Sequence, residues 1–222
     1  MMKLNSETLR HFYLKDLELP DTFHGRTTPK GKYPELWKKV ETKLKNGTAI
    51  DITGRNVWVW SDQHLGHNNA IELCGRPFTT TDEMTSALIA NAQRVVGPDD
   101  VLIFVGDIGF KSRGIINGML DSIPCYKIHI VGNHDMERDG KVIDYNVDER
   151  YLCYVHDAGD IQLWFTHYPM DNVPSNCVNV HGHIHQNLAN PWNINVSVEH
   201  IDYTPINLTD VLERARNYVN SK

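Results

Sequence analysis

Eight side chains of this 222-residue chain stand out for the chemistry they could do: Asp62, His64, Asp107, Asn133, His134, His167, His183 and His185. Each lies just past a short apolar run. VWVW precedes Ser61-Asp62-Gln63-His64, VLIFV precedes Gly106-Asp107, and IHIV precedes Gly132-Asn133-His134-Asp135. IQLWF precedes Thr166-His167, and VNV precedes His181-Gly182-His183-Ile184-His185. Carboxylates and imidazoles gathered without cysteine suit a hard-to-borderline divalent metal. Eight such groups are more than one ion needs, so the pattern predicts a two-metal hydrolytic centre. Each motif is weak alone, since Gly-Asp is often a turn and Gly-Asn-His often a loop. Specificity comes from their order and from the placement of every cluster after its own apolar run.

Something must hold these tips together. β-branched and aromatic runs stopped by Gly or polar residues read as buried strands, and open α/β sheets bind ligands beyond the carboxyl ends of their strands. The first three runs are separated by a helix candidate at 82–96, with Met84, Leu88, Ala92 and Val95 at helical spacing, and a shorter one near 114–120. That alternation predicts right-handed crossovers and a parallel sheet. After residue 140 the chain reads as β-rich, with strands at 151–156 and 161–166 joined by DAGD as a hairpin, then 178–180 and 194–198. A final helix near 208–219 takes Thr209 as its N-cap. Residues 1–55 read as an N-terminal extension packed on a main domain of residues 56–222. Helices are expected at 6–17 and 34–45 around a Pro-, Gly- and Thr-rich loop. His11 and His24, in this extension, match no ligand pattern and read as surface residues.

Hydrophobic content of 41% and charged content of 23% are those of a soluble globular protein large enough for a substantial core. A net charge of −6 offers no footprint for gripping a long nucleic acid. A small phosphate ester remains compatible, because bound cations reverse the sign inside a cleft. Cys74, Cys125, Cys153 and Cys177 are dispersed and read as free thiols of a reducing compartment. No signal-peptide pattern opens the chain, and no stretch approaches the roughly 18 apolar residues of a membrane span. The expectation is a cytoplasmic protein.

The series Asp62-x-His64, Gly106-Asp107, Gly132-Asn133-His134-Asp135, His167 and Gly182-His183-x-His185 resembles the calcineurin-like metallophosphoesterase superfamily over roughly residues 56–207. The text S-D-Q-H-L-G-H-N-N (61–69) and G-R-P-F (75–78) is similar to its small bacterial and phage members. The resemblance implies an α/β fold, a four-layer α/β/β/α sandwich with a mixed sheet and a dinuclear metal site at strand carboxyl ends. It places Asp62, His64, Asp107 and His185 on one metal and Asp107, Asn133, His167 and His183 on the other. A carboxylate can bridge two cations, as Asp107 would. Two such cations hold a bridging hydroxide, with the water's pKa brought from 15.7 toward about 7, for in-line attack on phosphorus.

His134 is left over from ligation and reads as the general acid for the leaving oxygen, with Asp135 orienting its ring. His67, Asn68 and Arg76, just past the first motif, read as candidate substrate contacts, with a helix cap and a packing loop as the structural alternative. His181 reads as lying outside the ligand set, His129 as a core or sheet-face residue, and His156 and His200 as structural or exposed. Mn²⁺ is the expected activating metal; Fe, Zn, Ni and Co suit the same donors. The block Gly106-Asp107-Ile108-Gly109-Phe110 lacks the Asp-Arg arrangement of protein Ser/Thr phosphatases. The expected activity is therefore hydrolysis of small phosphate esters, with nucleotide-type diesters ahead. A nuclease or a phosphoprotein phosphatase on the same centre, and a non-catalytic docking scaffold, are the alternatives.

Overall fold

The computed structural model describes residues 8–13, 48–51, 54–137 and 142–222. Its strands are β1 (Thr8–Tyr13), β2 (Thr48–Asp51), β3 (Val57–Trp60), β4 (Val101–Phe104), β5 (Tyr126–Ile130), β6 (Glu149–Asp157), β7 (Gln162–Thr166), β8 (Cys177–His181), β9 (Asn193–Asn195) and β10 (Ile206–Asn207). The helices are α1 (Asn68–Leu73), α2 (Thr81–Val95), α3 (Arg113–Asp121) and α4 (Leu208–Asn220). All strands join one mixed sheet in the order β10-β3-β4-β5-β6-β7-β8-β9, with β1 on β6 and β2 on β1.

β3 to β6 run parallel, as do β7 to β9, and the two sets meet in the antiparallel β6–β7 hairpin. The sheet curls until the chain leaving β3 meets the chain leaving β9. Ser61, just past β3, forms a parallel bridge with Ser197, just past β9, through Ser61 N to Val196 O at 2.9 Å and Val198 N to Ser61 O at 3.0 Å. This closure sets the carboxyl ends of β3, β4 and β5 against those of β7 and β8.

β4 is buried at every residue and β5 at four of its five, the near-continuous apolar run expected of strands covered on both faces. Met84, Leu88 and Ala92 of α2, Ile116 and Leu120 of α3, and Val211, Leu212 and Ala215 of α4 pack into the same core. A smaller cluster, Cys153, Val155, Trp164, Met170 and Cys177, lies apart from it. Thr80 caps α2 by accepting from Glu83 N at 3.1 Å, while the Glu83 carboxylate accepts from Thr79 N at 2.8 Å.

Two local expectations are corrected. The segment expected as helix 6–17 contains strand β1, which pairs antiparallel with both β2 and β6. β6 pairs with β5 only over Glu149–Tyr151, so the rest of its edge is left for a strand, and edge pairing outweighs helix propensity. The cap of α4 is Asn207 rather than Thr209: its side chain accepts from Thr209 N at 2.9 Å and Thr209 Oγ1 at 2.6 Å. The expected helix 34–45 and His24 lie outside the described residues, as does the side chain of His11.

Candidate metal centre

The chain strains its backbone at the strand tips. Asp62, His64, Asp107, His183 and His185 all have positive φ, between 50° and 68°; among the described non-glycine residues, Asp202 and Tyr203 share this. The left-handed region costs about 1–2 kcal/mol per L-residue, and such strain concentrates at functional sites. Backbone bonds hold the geometry: Asp62 N to Gly106 O at 3.0 Å and His64 N to Asp107 O at 3.1 Å. The glycines leave the room. A Cβ on Gly182 would lie 1.9 Å from Ser61 Oγ and 2.1 Å from Asp62 Oδ2, and one on Gly106 would lie 2.2 Å from His167 Nδ1.

Seven predicted ligands converge from five strand ends. Donor atoms of Asp62, His64 and His185 lie within 4.8 Å of one another, and so do those of Asp107, His167 and His183. Asp107 Oδ2 stands between the groups, 3.8 Å from His64 Nε2 and 3.3 Å from His167 Nε2. Asn133 Oδ1 joins the second group at 3.1 Å from His167 Nε2 and 2.9 Å from His183 Nδ1. His64 Nε2 and His185 Nε2 each lie 3.9 Å from Asp62 Oδ1.

These spacings fit cations. Donors at about 2.0–2.2 Å from a common ion, at ordinary coordination angles, sit about 3–4 Å apart. His64 Nε2 is buried with no hydrogen-bond partner, although two carboxylates face it, and buried polar atoms are rarely left so. His167 Nδ1 lies 2.8 Å from the Val105 carbonyl, which takes its N–H, so that the neutral ring would turn its Nε2 lone pair toward Asp107 and Asn133. Ser197 Oγ donates to Asp62 Oδ2 at 2.8 Å, and His183 N donates to the same oxygen at 2.9 Å.

Electrostatics mark the same residues. Burial opposes charging His167, but the adjacent Asp107 carboxylate overcomes it and raises the imidazole to about 9. His185 rises to about 10 against the same burial penalty, through hydrogen bonds with Cys74 and Glu199 and the charge of Asp62. Burial lowers His64 and His183 to about 4. Asp107 and Asp62 are held below the usual carboxylate range: burial works against this, and the surrounding imidazoles prevail.

Other predicted residues take different places. His134 is exposed at the mouth of a cleft of about 460 Å³ that His64, His67, His183 and His185 also line. Its backbone N donates to Asp107 Oδ1 at 2.8 Å. Asp135 does not orient its ring. That carboxylate is fully buried and accepts from Gly132 N, Asp107 N, Ile108 N and His129 Nε2 at 2.8–2.9 Å, so its lone pairs are committed to holding the β4 and β5 loops. His67 stacks on Phe110, rings 3.7 Å apart and 8° from parallel, at the cleft wall.

Asn68, at the start of α1, accepts from Thr81 Oγ1 on the surface. Arg76 is buried, with its guanidinium turned to protein groups. Its guanidinium pairs with Glu199 at 2.7 Å and donates to the carbonyls of Asp62 at 2.7 Å and Gln63 at 2.9 Å. His129, His156 and His181 are buried, His181 with Nδ1 on the Gly182 carbonyl at 2.7 Å. Sequence reasoning missed Glu199, whose Oε1 lies 3.2 Å from His185 Nδ1, and Ser197. No motif surrounds either; they reach the site because the sheet closes at Ser61–Ser197.

No protein-family model matches the chain. It is 32% identical over 172 residues to "Uncharacterized protein MJ1445" of Methanocaldococcus jannaschii, an alignment covering 69% of this chain and 88% of that protein. It is 38% identical over 92 residues to "Gene 66 protein" of Mycobacterium phage L5, spanning 38% of this chain and 44% of that one. The solved structure of "the Protein of Unknown Function AQ665 from Aquifex aeolicus" superposes with a TM-score of 0.57 at 24% identity, over 72% of this chain and 98% of that chain, and so shares its fold. By the identity and extent of the first alignment, the chain belongs to the same family as the uncharacterized protein MJ1445.

Proposed function

We propose that this protein is a dinuclear metal-dependent phosphoesterase of the calcineurin-like type, a four-layer α/β/β/α sandwich that hydrolyses small phosphate esters, nucleotide-type diesters foremost. The observation that carries the reading is the junction at Asp107. Two donor groups from distant strands meet there, and its Oδ2 faces an imidazole of each. Asp62, His64, Asp107 and His185 would hold one cation, and Asp107, Asn133, His167 and His183 the other.

Bound there, divalent cations supply Lewis-acid polarisation of the phosphoryl oxygens and a water acidified toward neutral pH. The chain's own contribution is position. Positive-φ backbone aims five donors inward, the Val105 carbonyl sets the His167 tautomer, and the Asp135 carboxylate anchors the loop bearing Asn133. In the reaction a water would give up one proton to solvent, its oxygen would bond to phosphorus as the bond to the leaving oxygen breaks, and that leaving oxygen would take a proton from His134 at the cleft mouth.

Mn²⁺ is the proposed activating metal. Four free cysteines accord with a reducing, cytoplasmic location, and no helix among the described residues is long and apolar enough to cross a membrane. The test is an activity matrix on chelator-stripped protein, crossing Mn²⁺, Fe²⁺, Co²⁺, Ni²⁺ and Zn²⁺ with bis-p-nitrophenyl phosphate, p-nitrophenyl phosphate and single-stranded DNA. The expected result is metal-dependent hydrolysis led by the small diester. Failure to bind transition ions, or binding without hydrolysis of any substrate, refutes the proposal, the second outcome favouring a docking scaffold.

A further inference from the structure

The candidate metal centre opens into a cleft where imidazoles are joined by apolar side chains from two elements, α1 with Ala70 and Leu73 and the loop after β8 with Ile184 and Leu188. Leu73 is 71% exposed and Leu188 is 89% exposed, among the few large apolar side chains given to water in the described residues. Single exposed leucines need no explanation. Two of them from separate elements, lining one cleft beside candidate ligands, form an apolar surface awaiting cover.

That surface is held in place. Asn187 N and Nδ2 both donate to the Ile184 carbonyl at 2.9 Å, and Asn195 Nδ2 donates to the His185 carbonyl at 2.7 Å, which fixes the loop carrying Leu188. On the other element, Gly66 N donates to Thr85 Oγ1 at 3.0 Å, and His67 N donates to the His64 carbonyl at 2.9 Å, tying the approach to α1 to the first ligand motif.

Charge narrows the occupant. Among the described residues neither Lys or Arg nor Asp or Glu lines the cleft, and the nearby Arg76 is buried against Glu199. Apart from its imidazoles, the cleft wall offers a second phosphate no Lys or Arg among the described residues, and a cationic substituent no carboxylate. At about 460 Å³ the space matches a small-molecule site, which typically joins apolar walls to a few polar groups at one end.

We propose that Leu73 and Leu188 form a subsite for an uncharged, flat, apolar substituent of a singly phosphorylated substrate, an aryl or nucleoside group on a phosphodiester. The inference rests on the phosphoesterase reading and deepens it by naming the substrate class. Polyphosphates and esters with only small aliphatic groups are the substrates this cleft disfavours.

The test compares two diesters with the same leaving group, bis-p-nitrophenyl phosphate and methyl p-nitrophenyl phosphate, on the metal-loaded protein. The wild type is expected to prefer the first by roughly tenfold in kcat/KM, about the discrimination a hydrophobic pocket gives an apolar group. In Leu73→Ser/Leu188→Ser the preference should shrink toward unity through KM. Both leucines are exposed, so the variant keeps its fold. No preference in the wild type, or one that survives the double substitution, overturns the subsite. A second measurement separates this from the parent reading: saturation-transfer NMR with adenosine 5′-monophosphate, without turnover. Contacts from its ring protons to leucine methyls, lost in the variant, support the subsite even if no ester is hydrolysed. Absence of contacts, including the case where another part of the chain covers the leucines, refutes it.

Discussion

Replacing Glu199 tests how the candidate centre is held. Its Oε1 receives Arg76 Nε at 2.9 Å and Nη2 at 2.7 Å, and lies 3.2 Å from His185 Nδ1. The arrangement leaves His185 Nε2 facing Asp62. Arg76 also binds the Asp62 carbonyl, so one guanidinium ties together two members of the Asp62–His64–His185 group. In Glu199→Ala a fully buried Arg76 side chain loses its only charged partner among the described residues, a change worth about 3–5 kcal/mol. Against a typical total of about 5–15 kcal/mol, that variant reports stability more than function. Glu199→Gln is the sharper change, because it keeps shape and an acceptor while removing the charge. Losing a carboxylate that orients a metal-binding imidazole costs about 10–100-fold in affinity, equivalent to about 1.4–2.8 kcal/mol. The loss should fall on one ion of two. Chelator-competition titrations, with metal stoichiometry read by mass spectrometry, should show one weakened and one unchanged site. A folded Glu199→Gln protein that holds both ions with wild-type affinity would refute the clamp.

Other substitutions and conditions separate the remaining roles. Gly182→Ala drives a methyl into Ser61 and Asp62, so it should abolish metal uptake and lower the melting temperature; unchanged metal content would show that the close approach is dispensable. His134→Ala should retain both ions and the melting temperature while losing turnover most on esters with poor leaving groups. Asp135→Asn should instead destabilise the fold by about 3 kcal/mol or more, since its carboxylate is buried against three backbone donors and His129. Equal melting temperatures for the two variants would overturn that division. In metal-free protein, His167 at about 9 and His185 at about 10 are raised, so their stabilisation is complete below about pH 6.5 and lost as pH climbs through those values. His64 and His183, at about 4, contribute above about pH 6.5 and lose their contribution as pH falls toward 4. Thermal melts should therefore peak near neutrality, and metal binding at pH 7, which needs neutral imidazoles, should release about two protons by calorimetry in buffers of differing ionisation enthalpy. A melting temperature that keeps rising toward pH 10 would contradict this.

The candidate donor residues and the strands before them could be read from local chemistry. Apolar runs such as VLIFV are long enough for a buried strand, stop at residues that cannot continue one, and end on groups with lone pairs; all five proved to be strands followed by convergent donors. Helix α2 was equally legible, from the spacing of Met84, Leu88 and Ala92. What failed locally depended on distant partners. The segment around Thr8–Tyr13 has a mixed pattern, and the open edge of β6 decides it as a strand. Asp135 stands beside His134 in sequence, yet its carboxylate turns to the β4 loop and His129, because buried backbone donors need an acceptor more than an exposed ring does. Arg76 follows the first motif closely enough to suggest a substrate contact, and only Glu199, 123 residues later, reveals it as a buried brace. Side-chain type and period are set residue by residue. Pairing across the closed sheet depends on which chain ends its curl brings together, and no local window contains that.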